Sequence, residues 1–195
     1  MDTQLIHKKG DREVFDDGKF VIKKTRPNAF DFETYKRFQE QNPCFIKVHE
    51  YDQQPDHGII VMDKINGVSH QSWRQRATVD QLWYIAVTFR HEVWKAFYDF
   101  MEYEIVDPSQ RVFFHADFVP GNLLMTDENK PIIVDPDGCS WYGWDMFLQK
   151  LQEHNMVWWN DYNISAHRDP FIRGLPRLSY LLADPMRPDR RNKYY

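Results

Sequence analysis

The stretch from Val112 to Asp135 constrains this chain more than any other. Two short apolar runs, Leu123-Leu124-Met125 and Pro131 to Val134, flank the turn residues Asp127-Glu128-Asn129-Lys130, which predicts a buried β-ribbon closed by a tight loop. A polar loop, His115-Ala116-Asp117-Phe118-Val119-Pro120-Gly121-Asn122, enters the ribbon, and Asp135 follows it directly. A ribbon folded on that turn brings Asp135 back beside Asn122. One carboxylate and one amide oxygen then converge where a hard cation binds, with Asp117 a few residues away. Taken singly, each of these residues is an ordinary turn or cap. Their combination on one ribbon is what asks for chemistry.

The rest of the chain supplies a frame. Asp16-Asp17-Gly18 lies between Glu13-Val14-Phe15 and Lys19 to Lys24, so residues 12–24 are expected to form a hairpin, with Val21 and Lys23 on one face and Phe20, Ile22 and Lys24 on the other. A short helix is expected over Asn28 to Gln41, served at its amino end by Asp31, and strands over Cys44 to Val48 and Ile59 to Asp63. Thr78 and Gln81 resemble a capping box. Beyond them Leu82, Ile85, Ala86, Phe89, Val93, Phe97, Phe100 and Met101 recur at helical spacing, so a long helix runs from about Val79 to Glu104. Another helix begins at Trp144, and Pro185 to Tyr195 reads as a tail rich in Pro, Arg and Asp. Strands first and helices second predict an α+β arrangement of two lobes, divided near residues 64–67. The expected division is 1–64 and 65–195.

Composition narrows the class. With 42% hydrophobic and 16% aromatic residues among 195, the chain is expected to fold as a globular protein. A formal net charge of -4 gives no strong nucleic-acid signal. Two cysteines outside any C-x-x-C pair suit a reducing, cytoplasmic setting. No run of about 18 apolar residues is present to span a membrane, and the first twelve residues lack the apolar core of a secretion signal.

The pattern H-x-D-x-x-x-x-N followed by a strand ending in Asp resembles the protein-kinase-like superfamily. The form HADFVPGNLL…PIIVD is most similar to its aminoglycoside-phosphotransferase and small-molecule-kinase branch, and the His-Ala-Asp start also resembles the RIO kinases. The resemblance implies a minimal two-lobe kinase fold that moves the γ-phosphoryl group of ATP, with Mg²⁺, to a hydroxyl acceptor. It makes Asp117 the catalytic base and Asn122 and Asp135 the metal ligands, with His115 behind the loop. Phe20-Val21-Ile22-Lys23 resembles V-A-I-K, so Lys23 would hold the α- and β-phosphates and Glu33 would be its ion-pair partner, with Glu40 as runner-up. Met62 would back the adenine pocket, backbone from Asp63 to Ile65 would meet the base edge, and Val14 and Val21 would cover its faces.

The departures are as informative. No G-x-G-x-x-G loop is present, Ala116 stands where protein kinases usually carry Arg, and Pro136-Asp137-Gly138 replaces Phe-Gly after the metal Asp. Asp137 reads as a turn residue that could also touch a metal. Asp145 is expected to brace the catalytic loop, and so little chain separates it from Asp135 that a peptide platform lacks material. The acceptor expected is therefore a small molecule. An atypical protein Ser/Thr kinase, or a pseudokinase acting as an interaction module, are the alternatives. Trp141, Tyr142, Trp144, Trp158, Trp159 and Tyr162 could line an acceptor pocket or pack the core. Glu153, Asp161 and Asp169 could meet a cationic acceptor, and Arg187, Arg190, Arg191 and Lys193 an anionic partner.

Overall fold

A computed structural model describes residues 3–27, 30–104 and 111–162. The amino-terminal part is a five-stranded antiparallel sheet of β1 (Gln4–Lys9), β2 (Arg12–Asp16), β3 (Phe20–Thr25), β4 (Val48–Gln53) and β5 (Gly58–Asp63), in the spatial order β1-β2-β3-β5-β4. The β2–β3 hairpin turns at Gly18, whose φ of 91° is open to glycine at no steric cost, and the Asp17 carboxylate caps the turn by accepting from the Lys19 and Phe20 N–H groups at 2.9 and 2.6 Å.

Register decides what the sheet buries. Val21 lies opposite Met62, which lies opposite Val48, and Lys23 lies opposite Ile60. With Thr25, these residues make the inner face, where Lys23, Thr25, Ile60, Met62 and Val48 are all buried. The expected alternation of β3 therefore holds. The strand expected at Cys44 to Val48 does not. That segment is an extended link whose Cys44 carbonyl and Ile46 N–H bond the backbone of Ile133, and the strand proper starts at Val48.

α1 (Phe32–Gln41) lies between β3 and β4 in the chain. Asp31 caps it, accepting from the Thr34 N–H at 3.1 Å. Its buried face is Thr34, Tyr35 and Phe38. Phe38 packs against Phe45, Phe97, Phe100 and Phe113, with ring centroids 4.9 to 5.7 Å apart, so one side chain joins α1 to the helical part of the molecule. Burying a ring of this kind is worth about 1.5–3 kcal/mol.

Beyond the sheet come β6 (Gly67–Ser69), α2 (His70–Arg74), and the long helical run. That run opens as α3 (Val79–Trp83) under the expected Thr78–Gln81 capping box, passes through a π-helical stretch, Tyr84–Phe89, and continues as α4 (Arg90–Glu104). β7 (Arg111–His115) leads into the polar loop, and β8 (Leu123–Thr126) with β9 (Pro131–Ile133) forms the expected ribbon, its turn held by Asn129 at φ 61°. β10 (Cys139–Gly143) pairs antiparallel with β7, and α5 (Trp144–Tyr162) closes the described chain. The class is α+β, as expected. Among the described residues no helix is long and apolar enough to cross a membrane.

Candidate active site

The loop between β7 and β8 exposes one acid from a buried mounting. His115 and Phe118 are fully buried, while Asp117 between them is exposed. His115 fixes the turn with both ring nitrogens. Its Nδ1 accepts from the Asp117 N–H at 3.1 Å, and its Nε2 lies 3.2 Å from the Val134 carbonyl, to which it donates. That pairing requires the neutral imidazole with its proton on Nε2. Burial pushes the ring's pKa down, and the nearby Asp135, Asp117 and Asp137 offset this only in part. Gly138 lies directly against the ring, and a Cβ there would stand 2.5 Å from it. Only glycine allows this approach.

Asn122 is held from the same side. Its Nδ2 donates to the Asp117 carbonyl at 2.8 Å and to Asp117 Oδ2 at 3.1 Å. That leaves the amide oxygen as the atom turned away from Asp117. The Val134 N–H donates to the Asn122 carbonyl at 3.0 Å, which brings the residue before Asp135 against Asn122. Asp135 itself stands at φ 70° and ψ 55°, a left-handed conformation that a non-glycine residue adopts at a cost of about 1 kcal/mol or more and that recurs at functional sites. The 3₁₀ turn Pro136–Gly138 then carries the chain into β10, bonded back to the loop by Ala116 N–H to the Gly138 carbonyl at 2.9 Å.

Lys23 reaches this turn from β3. Its ammonium bonds Asp135 Oδ1 and Asp137 Oδ1, and Thr25 Oγ1 donates to Asp137 Oδ2 at 2.5 Å. The structure thus brings together four of the residues expected at the site: Asp117 with Asn122, and Lys23 with Asp135. Burial pushes the Asp137 carboxyl up, but the charge of Lys23 and the hydrogen bonds from Lys23 and Thr25 outweigh it and hold the group below the ordinary carboxylate range. Removing one partner of such a buried ion set leaves charge uncompensated, at a cost of about 3–5 kcal/mol.

Glu33 is a correction. It lies exposed in the first turn of α1, as Glu40 does in the last, and the expected pair with Lys23 is not formed. Tyr35 and Phe38 take the buried face of that helix, which turns Glu33 outward. On the nucleotide side, Met62 is buried, while Val21 and Ile65 are half-buried against the core. Asp63 ends β5 with its N–H given to the Lys47 carbonyl at 2.9 Å and its carboxylate 2.6 Å from His49 Nε2. Its own N–H is therefore out of the set that could meet a base edge.

Asp145 is a second correction. It is exposed at the start of α5 and does not brace the loop. Trp158, four turns further along, does so: its Nε1–H donates to the Phe118 carbonyl at 3.1 Å, fully buried, and its ring lies 5.3 Å from that of Phe118. The aromatic run serves packing. Trp141 sits on Phe113, Tyr142 on Phe114, Trp144 on Phe147. Glu153 is occupied on the surface of α5 by Lys150 at 2.7 Å and Gln149 at 2.6 Å. Asp169, Arg187, Arg190, Arg191 and Lys193 lie outside the described residues, as do the side chains of Trp159 and Asp161.

Comparison with known proteins accords with this geometry. Residues 53–143 match the model of the phosphotransferase enzyme family, APH, a segment that holds the loop, the ribbon and Asp135. No curated protein matches the chain in sequence. Among solved structures, the kinase PK-1 of Cydia pomonella granulovirus is similar with a TM-score of 0.49 and 17% sequence identity, over 69% of this chain and 51% of that one. This chain spans about half the length of that kinase. Residues 53–143 are thus similar to the phosphotransferase enzyme family that the model describes.

Proposed function

We propose that the chain transfers the γ-phosphoryl group of ATP to a hydroxyl group on a small molecule. The observation that carries this reading is the meeting of Asp117 with Asn122 where the chain enters the ribbon and of Lys23 with Asp135 where it leaves. Phosphoryl transfer asks the protein mainly to position reactants and to offset charge. Lys23 supplies the fixed cation for the phosphates. Asp117, exposed at the tip of a rigid loop, orients the acceptor hydroxyl and takes up its proton. Val21 and Met62 offer the apolar faces for adenine, with the chain from Asp63 to Ile65 at its edge.

The residues present fit a magnesium ion. Asp135 keeps Oδ2 and Asn122 its amide oxygen, two hard donors of the kind that suit an ion which retains several waters. Among the described residues no group of three or more His, Cys, Asp or Glu gathers to hold a metal, which argues against a closed all-protein cage. Bound there, the ion would neutralise phosphate charge. The division into a nucleotide-binding lobe, 1–64, and an acceptor-bearing lobe, 65–195, belongs to this proposal, as does a cytoplasmic setting.

A small acceptor is favoured because β10 and its turn fill the whole interval from Asp135 to Trp144. Nothing remains there for a peptide platform. The test is labelled-ATP transfer across alcohol, sugar and protein acceptors, with Asp117→Asn alongside. Asp117→Asn should lower kcat by roughly 10²–10⁴-fold, the range of general acid–base catalysis, while leaving ATP binding in place. Unchanged transfer in that variant removes Asp117 from its role. In a thermal-shift assay with ATP and Mg²⁺, protection of about 2.7 kcal/mol is expected at 100 times Kd and should be weakened in Asp135→Ala. Protection without transfer to any acceptor would make the chain a nucleotide-binding interaction module.

A further inference from the structure

We infer that Asp137, and not a glutamate of α1, is the residue that positions Lys23. The inference rests on the reading that Lys23 holds nucleotide phosphates, and it assigns what keeps that lysine in place.

The two carboxylates that touch Lys23 are not equivalent. The Asp135 side chain is 33% exposed and commits one oxygen, Oδ1, to Lys23. The Asp137 side chain is 3% exposed and commits both oxygens to β3, Oδ1 to Lys23 and Oδ2 to the Thr25 hydroxyl. Asp135 is therefore left with an oxygen for a cation, and Asp137 is spent on the strand. Lys23 and Thr25 lie two residues apart, on the same buried face of β3, so the strand presents an ammonium and a hydroxyl side by side. One carboxylate bridges them. The backbone prepares this contact: the left-handed Asp135 and the 3₁₀ turn after it turn the chain so that the residue two positions on faces the sheet again.

The helix cannot supply the anchor in this packing. Residues 33 and 38 stand on well-separated faces of a helix, since successive residues advance by about 100°. Swinging Glu33 inward would draw Phe38 out from among Phe45, Phe97, Phe100 and Phe113. The Lys23 anchor is thus contributed by the same turn as the metal carboxylate. Lysine and metal site are set together by one short segment, Asp135 to Gly138, with no movement of α1 required.

The experiment uses the full chain and four variants: Asp137→Asn, Asp137→Ala, Thr25→Val and Glu33→Gln. Without nucleotide, a pulse of acetic anhydride followed by peptide mass spectrometry reads the exposure of Lys23 against Lys24 and Lys36 in the same chain. Steady-state kinetics then read kcat and the KM for ATP. Asp137→Asn should raise Lys23 labelling selectively and lower kcat/KM for ATP by about tenfold or more, the scale of one charge-assisted hydrogen bond. Thr25→Val should do the same to a smaller extent, and guards against misfolding of the Asp137 variants. Glu33→Gln should match wild type in both readouts. Equal damage from Glu33→Gln overturns the proposal. So does Asp137→Asn with unchanged Lys23 labelling and a raised Mg²⁺ requirement, which would make Asp137 a metal ligand. If wild type neither binds nor transfers phosphate from ATP, the phosphotransferase reading fails, while the labelling contrast still decides which carboxylate holds Lys23.

Discussion

The segment from His115 to Gly138 and the sheet edge formed by β1 are held by opposite means. In the first, nearly every polar group has an assigned partner: both nitrogens of His115, the amide of Asn122, the carbonyls of Phe118 and Gly138, both oxygens of Asp137. Buried rings lie beneath it. In β1 all six residues are exposed, Leu5 by 48% and Ile6 by 52%, and the register with β2 slips between Leu5 and His7. Geometry that chemistry depends on is over-determined here, whereas the strand at the edge of the sheet is attached by backbone pairing and one exposed ion pair, Lys8 with Glu13 at 2.6 Å. A chain that uses few residues can concentrate its packing where atoms must be placed to within fractions of an ångström.

The sharpest way to break this contrast is to remove the ring beneath the loop. Phe118 is wholly buried and meets Phe89, Trp94, Phe97 and Trp158. Phe118→Ala should cost about 3–5 kcal/mol in urea denaturation, because a cavity opens in a wall of rings that cannot close on it. A loss below about 1 kcal/mol would show that the loop does not depend on this mounting. Gly138→Ala comes next. The new methyl meets the His115 ring from within, and overpacking of this kind costs about 1–3 kcal/mol. Because His115 sets the Asp117 backbone, this variant should also lose turnover out of proportion to its change in stability. A variant with wild-type kinetics would detach His115 from the loop's geometry.

How far these features could be read beforehand follows from the range of the interactions involved. The ribbon, its turn and the acids on it were legible because strand, turn and loop chemistry are all local. The same holds for the Thr78 cap and the inward face of β3. Trp158 gave no signal, since its hydrogen bond spans forty residues and an indole in a helix looks like any core aromatic. Glu33 looked right by position, yet the outcome was decided by which face of α1 the four rings around Phe38 selected. β1 went unseen for another reason. An exposed edge strand buries neither face, so the period-two pattern that marks a strand is never written. β10 was missed because its pairing with β7 is long-range.

A milder test of the contrast uses acidity. His154 of α5 is buried beside Trp94, and burial pushes its pKa from 6.5 down to about 4, with the nearby Asp117 offsetting this in part. Burial pushes His115 the same way. The unfolded chain takes up these protons near pH 6.5 and the folded chain only well below it. Stability is therefore full above pH 6.5 and declines between there and about 4. From pH 7 to pH 5.5 the loss attributable to His154 should be about 1 kcal/mol, and His154→Gln should remove that share. Denaturation midpoints at the two pH values measure it. An unchanged slope in His154→Gln would mean that the proton is taken up elsewhere.

The smallest effect expected is at the edge, and it is informative for being small. Leu5 and Ile6 bring apolar side chains to the outermost strand, but half their surface already meets water, so little apolar area is left to lose. The slip at this point also twists the edge and blunts its use as a template for a second chain. Leu5→Thr with Ile6→Thr should change stability by no more than about 0.5 kcal/mol, since threonine is itself β-branched and suits a strand. A loss approaching that of Gly138→Ala would mean that β1 is covered by residues beyond those described, and the contrast drawn above would shrink to a difference in exposure. A negligible loss together with a raised KM for ATP would sharpen it: the edge would then contribute to holding nucleotide and hardly at all to holding the fold.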